Sequence, residues 1–168
     1  LHTPTRRQRQ MCIRDRDIQQ AVKVHNEARK EVGVDKLIWS LELQNDATIY
    51  ARELAKKDKG LVHSTNLGDQ GENLHLSYAS KTVNNVTSNV FSKTPLKDAS
   101  VAWYNEIKDY SYASIKMDSL FPKVGHYTQM IWSTTKEVGI GKARSKSGKV
   151  YVVARYYPAG NILGKTPY

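Results

Sequence analysis

The sequence predicts an α+β fold, a three-layer α-β-α sandwich around a small, mainly antiparallel central sheet. Three observations predict it. Segments with helical periodicity come first and extended segments come late, without the βαβ alternation of a doubly wound fold. The last two extended runs, 137–144 and 149–157, flank the short Gly-containing stretch SKSG, a hairpin signal. The final strand is largely apolar on both faces, with Val150, Val152, Ala154 and Tyr156 on one side and Tyr151, Val153, Arg155 and Tyr157 on the other. Helices on both sides of the sheet account for that pattern.

The elements follow in order. Ile18, Ala21, Val22, His25 and Ala28 recur at helical spacing from about Asp17, and Gly33 suits the position after the helix end. Ser40 is a favourable N-cap for a second helix. Leu43, Ala47, Tyr50, Ala51, Leu54 and Ala55 line its apolar face, and it closes near Lys57. Residues 58–80 read as irregular or partly extended, with LVHS and ENLHLS as strand candidates, and 81–94 as a polar loop. Thr94, Pro95 and Asp98 mark the start of a third helix running to about Tyr110. A loop and a short helix over about 123–132 precede the hairpin.

At 168 residues the chain is of single-domain size and long enough to bury a core without staples. The longest apolar run, VYVVA, falls far short of the roughly 20 residues of a membrane helix. The single cysteine, Cys12, excludes an intrachain disulfide. The formal charge of +10 is unevenly placed: residues 1–16 hold five arginines and one acid, leaving +6 for the rest. This segment lacks the apolar core of a signal peptide and a Met-Gly start. Its string MCIRDR resembles a translated sequencing adapter, so 1–16 is expected to be non-native or a disordered arm, with one domain over 17–168. No nucleic-acid-binding motif and no aromatic-interleaved basic stripe occur beyond that segment, so nucleic acid is not an expected partner.

Four ionisable residues stand out. On a helix turning about 100° per residue, Glu106 falls at the edge of the stripe formed by Leu96, Ala99, Trp103, Ile107 and Tyr110. A carboxylate there calls for a partner. His126 lies among large apolar residues in VGHYTQMIW, four positions before Met130. His63 and Glu72 flank a glycine-rich turn. If the four converge, they can hold a divalent metal, pair as general base and orienter, or form a buried polar network; spacing does not choose among these.

These segments also carry a resemblance. GHYTQMIW (125–132), YVVARYYPAGNI (151–162), HNEAR (25–29), GENL (71–74) and WYNEIKDY (103–110) are similar to motifs of the CAP superfamily. That superfamily comprises cysteine-rich secretory proteins, insect-venom antigen five and plant pathogenesis-related proteins of group one. The likeness spans about 18–163 and is greatest to the cysteine-poor, Golgi-associated branch; Ala154 stands where disulfide-bonded members have Cys. The resemblance implies the same α-β-α sandwich and a cavity tetrad of His63, Glu72, Glu106 and His126, with His63 and His126 as ligands for zinc or another divalent ion. It implies a non-catalytic protein binding lipid or sterol and anionic membrane surfaces, with homodimerisation as a further property. Tyr78 and Phe91, in the long 76–94 segment, are the expected lipid contacts. The alternative is a metal- or Ser-assisted hydrolase using the same cavity, with Ser77 as nucleophile. The family majority implies secretion; the Golgi-associated branch implies an intracellular, peripheral location. Asn85-Val-Thr is a glycosylation acceptor motif.

Overall fold

The computed structural model describes the backbone of residues 6–168 and the side chains of residues 15–168. Its central sheet has four strands in the order β1-β5-β6-β2, formed by Ile38–Trp39, Glu137–Arg144, Val150–Tyr157 and Gly71–Ser77. The pairs β2–β6 and β5–β6 are antiparallel and the short β1–β5 pair is parallel. Helix α2 (Leu41–Lys57) covers one face; α1 (Arg6–Glu31), α3 (Pro95–Tyr104) and α4 (Phe121–Met130) lie on the other. The expected three-layer sandwich and its mainly antiparallel sheet are therefore present.

The two faces of β6 divide as the alternation requires. Val152, Ala154 and Tyr156 join Val138, Ile140, Trp103, Tyr127 and Met130 in one core. Tyr151 and Val153 join Ala47, Ala51, Leu54 and Leu74 in the other. On β5 the side toward α2 is glycine: a Cβ at Gly139 would lie 2.1 Å from the Gln44 amide nitrogen, and one at Gly141 2.3 Å from that of Thr48. The absence of side chains lets the α2 backbone rest directly on the strand.

Several boundaries differ from the sequence reading. Helix α1 begins at Arg6 rather than near Asp17, because no Gly or Pro interrupts the chain between Pro4 and Gly33. Residues 1–5 lie outside the described residues, as does the side chain of Cys12. LVHS is not a strand. The supposed loop after β2 is a hairpin of β3 (Ser80–Val83) and β4 (Val86–Asn89). Its turn residues Asn84 and Asn85 both have positive φ, 48° and 62°, as a two-residue primed turn requires. The third helix tightens after Tyr104 into a 3-10 turn over Asn105–Asp109, so Glu106 departs from the α-helical stripe.

Two buried polar assemblies fix the layer of α1, α3 and α4. Arg29 is fully buried. It donates to the carbonyls of Asp35, Met130 (3.0 Å), Trp132 (2.8 Å) and Thr135 (3.0 Å). His25, also fully buried, donates from Nδ1 to the Ala21 carbonyl (2.9 Å), since a carbonyl only accepts. Its Nε2 then accepts from the Tyr156 hydroxyl (2.8 Å), which in turn accepts from Asn73 Nδ2 (3.1 Å). Burial lowers the His25 pKa from 6.5 to about 4, keeping the ring neutral.

This neutral ring sets an acid limit. Below pH 6.5 the unfolded imidazole takes a proton that the folded one refuses until about pH 4, so stability falls as pH falls through that window. At about pH 4.5 the loss from this residue is roughly 2–3 kcal/mol relative to neutral pH. Urea unfolding at both pH values should show a smaller acid loss, by about that amount, in His25→Gln than in the wild-type protein. Equal acid losses would show that His25 is not the group held neutral.

Candidate functional site

β2 is an edge strand, and the four expected site residues gather about its first half and the adjoining end of α4. Glu72 is the second residue of β2 and faces the α2 side with its partner Arg155, whereas Asn73 faces the opposite side. His63 lies in the extended stretch that leads toward the strand. His126 lies on α4, and Glu106 reaches it from the 3-10 turn.

The residues form two imidazole–carboxylate pairs. His126 Nδ1 meets Glu106 Oε1 at 2.6 Å. Glu106 Oε2 accepts from the backbone N–H of His126 (2.9 Å) and of Tyr127 (3.0 Å). One carboxylate thus fixes both the backbone and the ring of His126. The ring also stacks on Trp103, with centroids 6.2 Å apart and planes at 30°. Trp103 is itself anchored by its Nε1–H donating to the Leu74 carbonyl. In the second pair, His63 Nδ1 meets Glu72 Oε1 at 2.7 Å, and the same oxygen accepts from Ser64 N–H at 3.0 Å. Glu72 Oε2 lies 3.1 Å from Arg155 Nη2, an ion pair buried on both sides. The contact is ionic rather than a well-aligned hydrogen bond, for that oxygen and Arg155 Nε both lack a hydrogen-bond partner.

An ionised carboxylate only accepts, so each facing Nδ1 carries a proton, and in the neutral tautomer this requires, Nε2 is the nitrogen available as a ligand. This is the arrangement that orients histidines as metal ligands. His63, Glu72, Asn73, Phe121, His126 and Asn161 are among the residues lining one cavity of about 320 Å³. Glu106 braces His126 from behind and is not part of the lining. Asn73 ties the cavity to the buried network, donating to the His126 carbonyl (3.1 Å) as well as to Tyr156. Among the described residues, no group of three or more His, Cys, Asp or Glu side chains is arranged to hold a metal ion. Among its lining residues the cavity offers two imidazoles, His63 and His126, as nitrogen donors.

Sequence reasoning missed Arg155, Asn73 and His75. Arg155 had a signal, a lone cation inside an apolar strand. His75 lies one strand step from Asn73 on the same face, and burial, aided by His126, lowers its pKa. Of the expected lipid contacts, Tyr78 is exposed, whereas Phe91 is half-buried beneath the Arg144 guanidinium, 3.4 Å from its ring centroid. Ser77 ends β2 and, among the described residues, makes no hydrogen bond to a histidine.

The fold and site define a three-layer domain with an imidazole–carboxylate cavity at the edge of its sheet. The chain belongs to the CAP family: the model of the cysteine-rich secretory protein family matches residues 22–156. It is 36% identical over 148 residues to Golgi-associated plant pathogenesis-related protein 1 of Homo sapiens, covering 87% of this chain and 85% of that protein. It is 33% identical to venom allergen 5 of Polistes fuscatus, over 80% of this chain and 62% of that protein. The crystal structure of NaASP2 with Zn2+ superposes with a TM-score of 0.69 at 27% identity, covering 89% of this chain and 83% of that one.

The Glu106 bracket makes a stability prediction. Glu106→Ala leaves three donors without their acceptor and should cost about 2–3 kcal/mol in urea unfolding. Glu106→Gln, whose amide oxygen still accepts, should cost about half as much. Indistinguishable stabilities for the alanine variant and the wild-type protein would mean that Glu106 does not organise α4.

Proposed function

We propose that this chain is a non-catalytic binding protein of the CAP family, taking lipid or sterol and anionic membrane surfaces, with a two-histidine site for zinc or another divalent ion. The observation that carries the metal part is the pairing of both imidazoles, through Nδ1, with their own carboxylates while both Nε2 atoms remain free beside one cavity. A bound ion would supply Lewis acidity and a docking point for an anionic group. His63 and His126 hold it, Glu72 and Glu106 orient them, and Asn73 fixes the His126 carbonyl. The presence of zinc in the NaASP2 crystal structure is consistent with this reading.

The lipid part rests on the β3–β4 hairpin, whose Val83 and Val86 are exposed beside Tyr78 and Val90, and on the +6 charge outside residues 1–16. The alternative is a metal- or Ser-assisted hydrolase using the same cavity; among the described residues Ser77, its candidate nucleophile, makes no hydrogen bond to a histidine. Among the described residues no helix is long and apolar enough to cross a membrane. Secretion, as in the family majority, is the proposed location. A Golgi-type peripheral location is the alternative, in keeping with the buried Ala154 at the position of the usual cysteine.

Two measurements test the two parts. Calorimetric titration with zinc should show one site that weakens at least ~10-fold in His63→Ala and in His126→Ala; unchanged affinity in the double variant would leave the tetrad a purely structural network. Flotation with phosphatidylserine-containing or sterol-containing vesicles should show binding to at least one, with the anionic component weakening as salt rises. Absence of binding to both at low salt would defeat the lipid reading.

A further inference from the structure

A second concave surface lies on the α2 side, remote from the histidines. It has a volume of about 590 Å³ and is walled by Arg52 and Lys56 of α2, Arg144 at the end of β5 and Lys146 in the following turn, with Ala55 and Ala143 between them. Arg52 and Lys56 are four apart on one helix face, a like-charge spacing that costs stability unless an anion offsets it. Among the described residues none of the four cations forms an ion pair. The one acid in the lining, Asp58, is already engaged. It takes Lys149 at 3.3 Å and the hydroxyl of Tyr151 at 3.1 Å, and its αL backbone caps α2.

Arg144 is also held in place. Its guanidinium stacks on Phe91, which restrains the plane and leaves the N–H edges free to donate. Phe91 follows the β3–β4 hairpin, and the Asn89 side chain packs so closely on Gly148 that a Cβ there would lie 1.9 Å from it. The hairpin base is thereby fixed against the turn that carries Lys146.

We propose that Arg52, Lys56, Arg144 and Lys146 form a binding site for a phosphate-ester anion. The small alanines leave room between the cations. Two guanidinium groups supply forked donors for phosphate oxygens, and two ammonium groups supply point charge. The phosphate is either free in solution or carried on a lipid headgroup. The lipid case rests on the membrane reading above; the soluble case does not. The exposed valines of the adjoining hairpin would meet the bilayer in the lipid case.

The test uses the whole chain, inorganic tripolyphosphate as the soluble probe, and phosphatidylcholine vesicles with and without phosphatidylinositol 4-phosphate. The wild-type protein is compared with Arg52→Ser/Arg144→Ser and with Lys30→Ser/Lys36→Ser, which removes the same charge from an exposed region elsewhere. The first variant should lose at least ~10-fold in affinity for the probe that binds and the second at most ~2-fold. Loss toward both probes assigns a general phosphate site; loss toward vesicles alone assigns a lipid headgroup. Binding of tripolyphosphate without vesicle binding supports the site while defeating its membrane use. Equal weakening in both variants, or no binding to either probe, overturns the proposal. Loss toward tripolyphosphate alone assigns a soluble phosphate. Undiminished affinity of Arg52→Ser/Arg144→Ser for every probe the wild-type protein binds also overturns the proposal and, where vesicles are bound, leaves the membrane reading standing.

Discussion

Arg29 is the constraint on which the arrangement of the helical layer depends. Its charge sits in the interior without a carboxylate partner, and four backbone carbonyls take its place. Met130 closes α4, and Trp132 and Thr135 lie in the turn that feeds β5. The guanidinium thus meets the negative end of a helix dipole and the unpaired acceptors of that helix terminus. Burial pushes its pKa down only to about 10, so the charge persists at neutral pH. One side chain of α1 therefore fixes where α4 ends and where the sheet resumes. The position of His126 on α4 follows.

The site inherits this rigidity. Glu106 and Glu72 play the same chemical role on opposite faces of the edge strand, but each is supported differently. Glu106 is held by two backbone N–H groups of α4, so its position is tied to the helix it organises. Glu72 is held by Ser64 N–H and by the buried charge of Arg155. Replacing Arg155 with an apolar residue would leave a buried carboxylate with only neutral partners, the costly way to break such a pair. The cavity is consequently narrow in what it accepts. It presents two imidazoles, one strand edge and an apolar flank from Phe121.

What the sequence made legible follows physical locality. The β5–β6 hairpin and α2 were plain, because turn chemistry, capping by Ser40 and apolar periodicity act over a few residues. Motif likeness named the four residues but not which histidine meets which glutamate, and periodicity alone left Glu106 at the edge of a helical stripe that in fact ends before it. The two-residue β1 escaped because its parallel partner lies about a hundred positions away and its own pattern is too short to register. The β3–β4 hairpin escaped because its polar, exposed residues carry no buried alternation, and Asn84-Asn85 lacks the glycine of the commoner turn. Arg29 was hidden for another reason: its acceptors are backbone atoms, which every sequence possesses.

The two surfaces are also physically separable. The histidine cavity adjoins the start of β2, at Glu72 and Asn73, whereas the end of β2, at Ser77, pairs with Val150 beside the turn bearing Lys146. Seven strand residues place those ends about 20 Å apart. That exceeds the Debye length of about 8 Å at physiological salt, so exposed charge at one end is largely screened from the other. The sheet between them is closely packed, with Val152, Val153 and Ala154 fully buried. The metal site proposed for the cavity and the anion site proposed for the α2 face are therefore separate hypotheses, each resting on its own side chains.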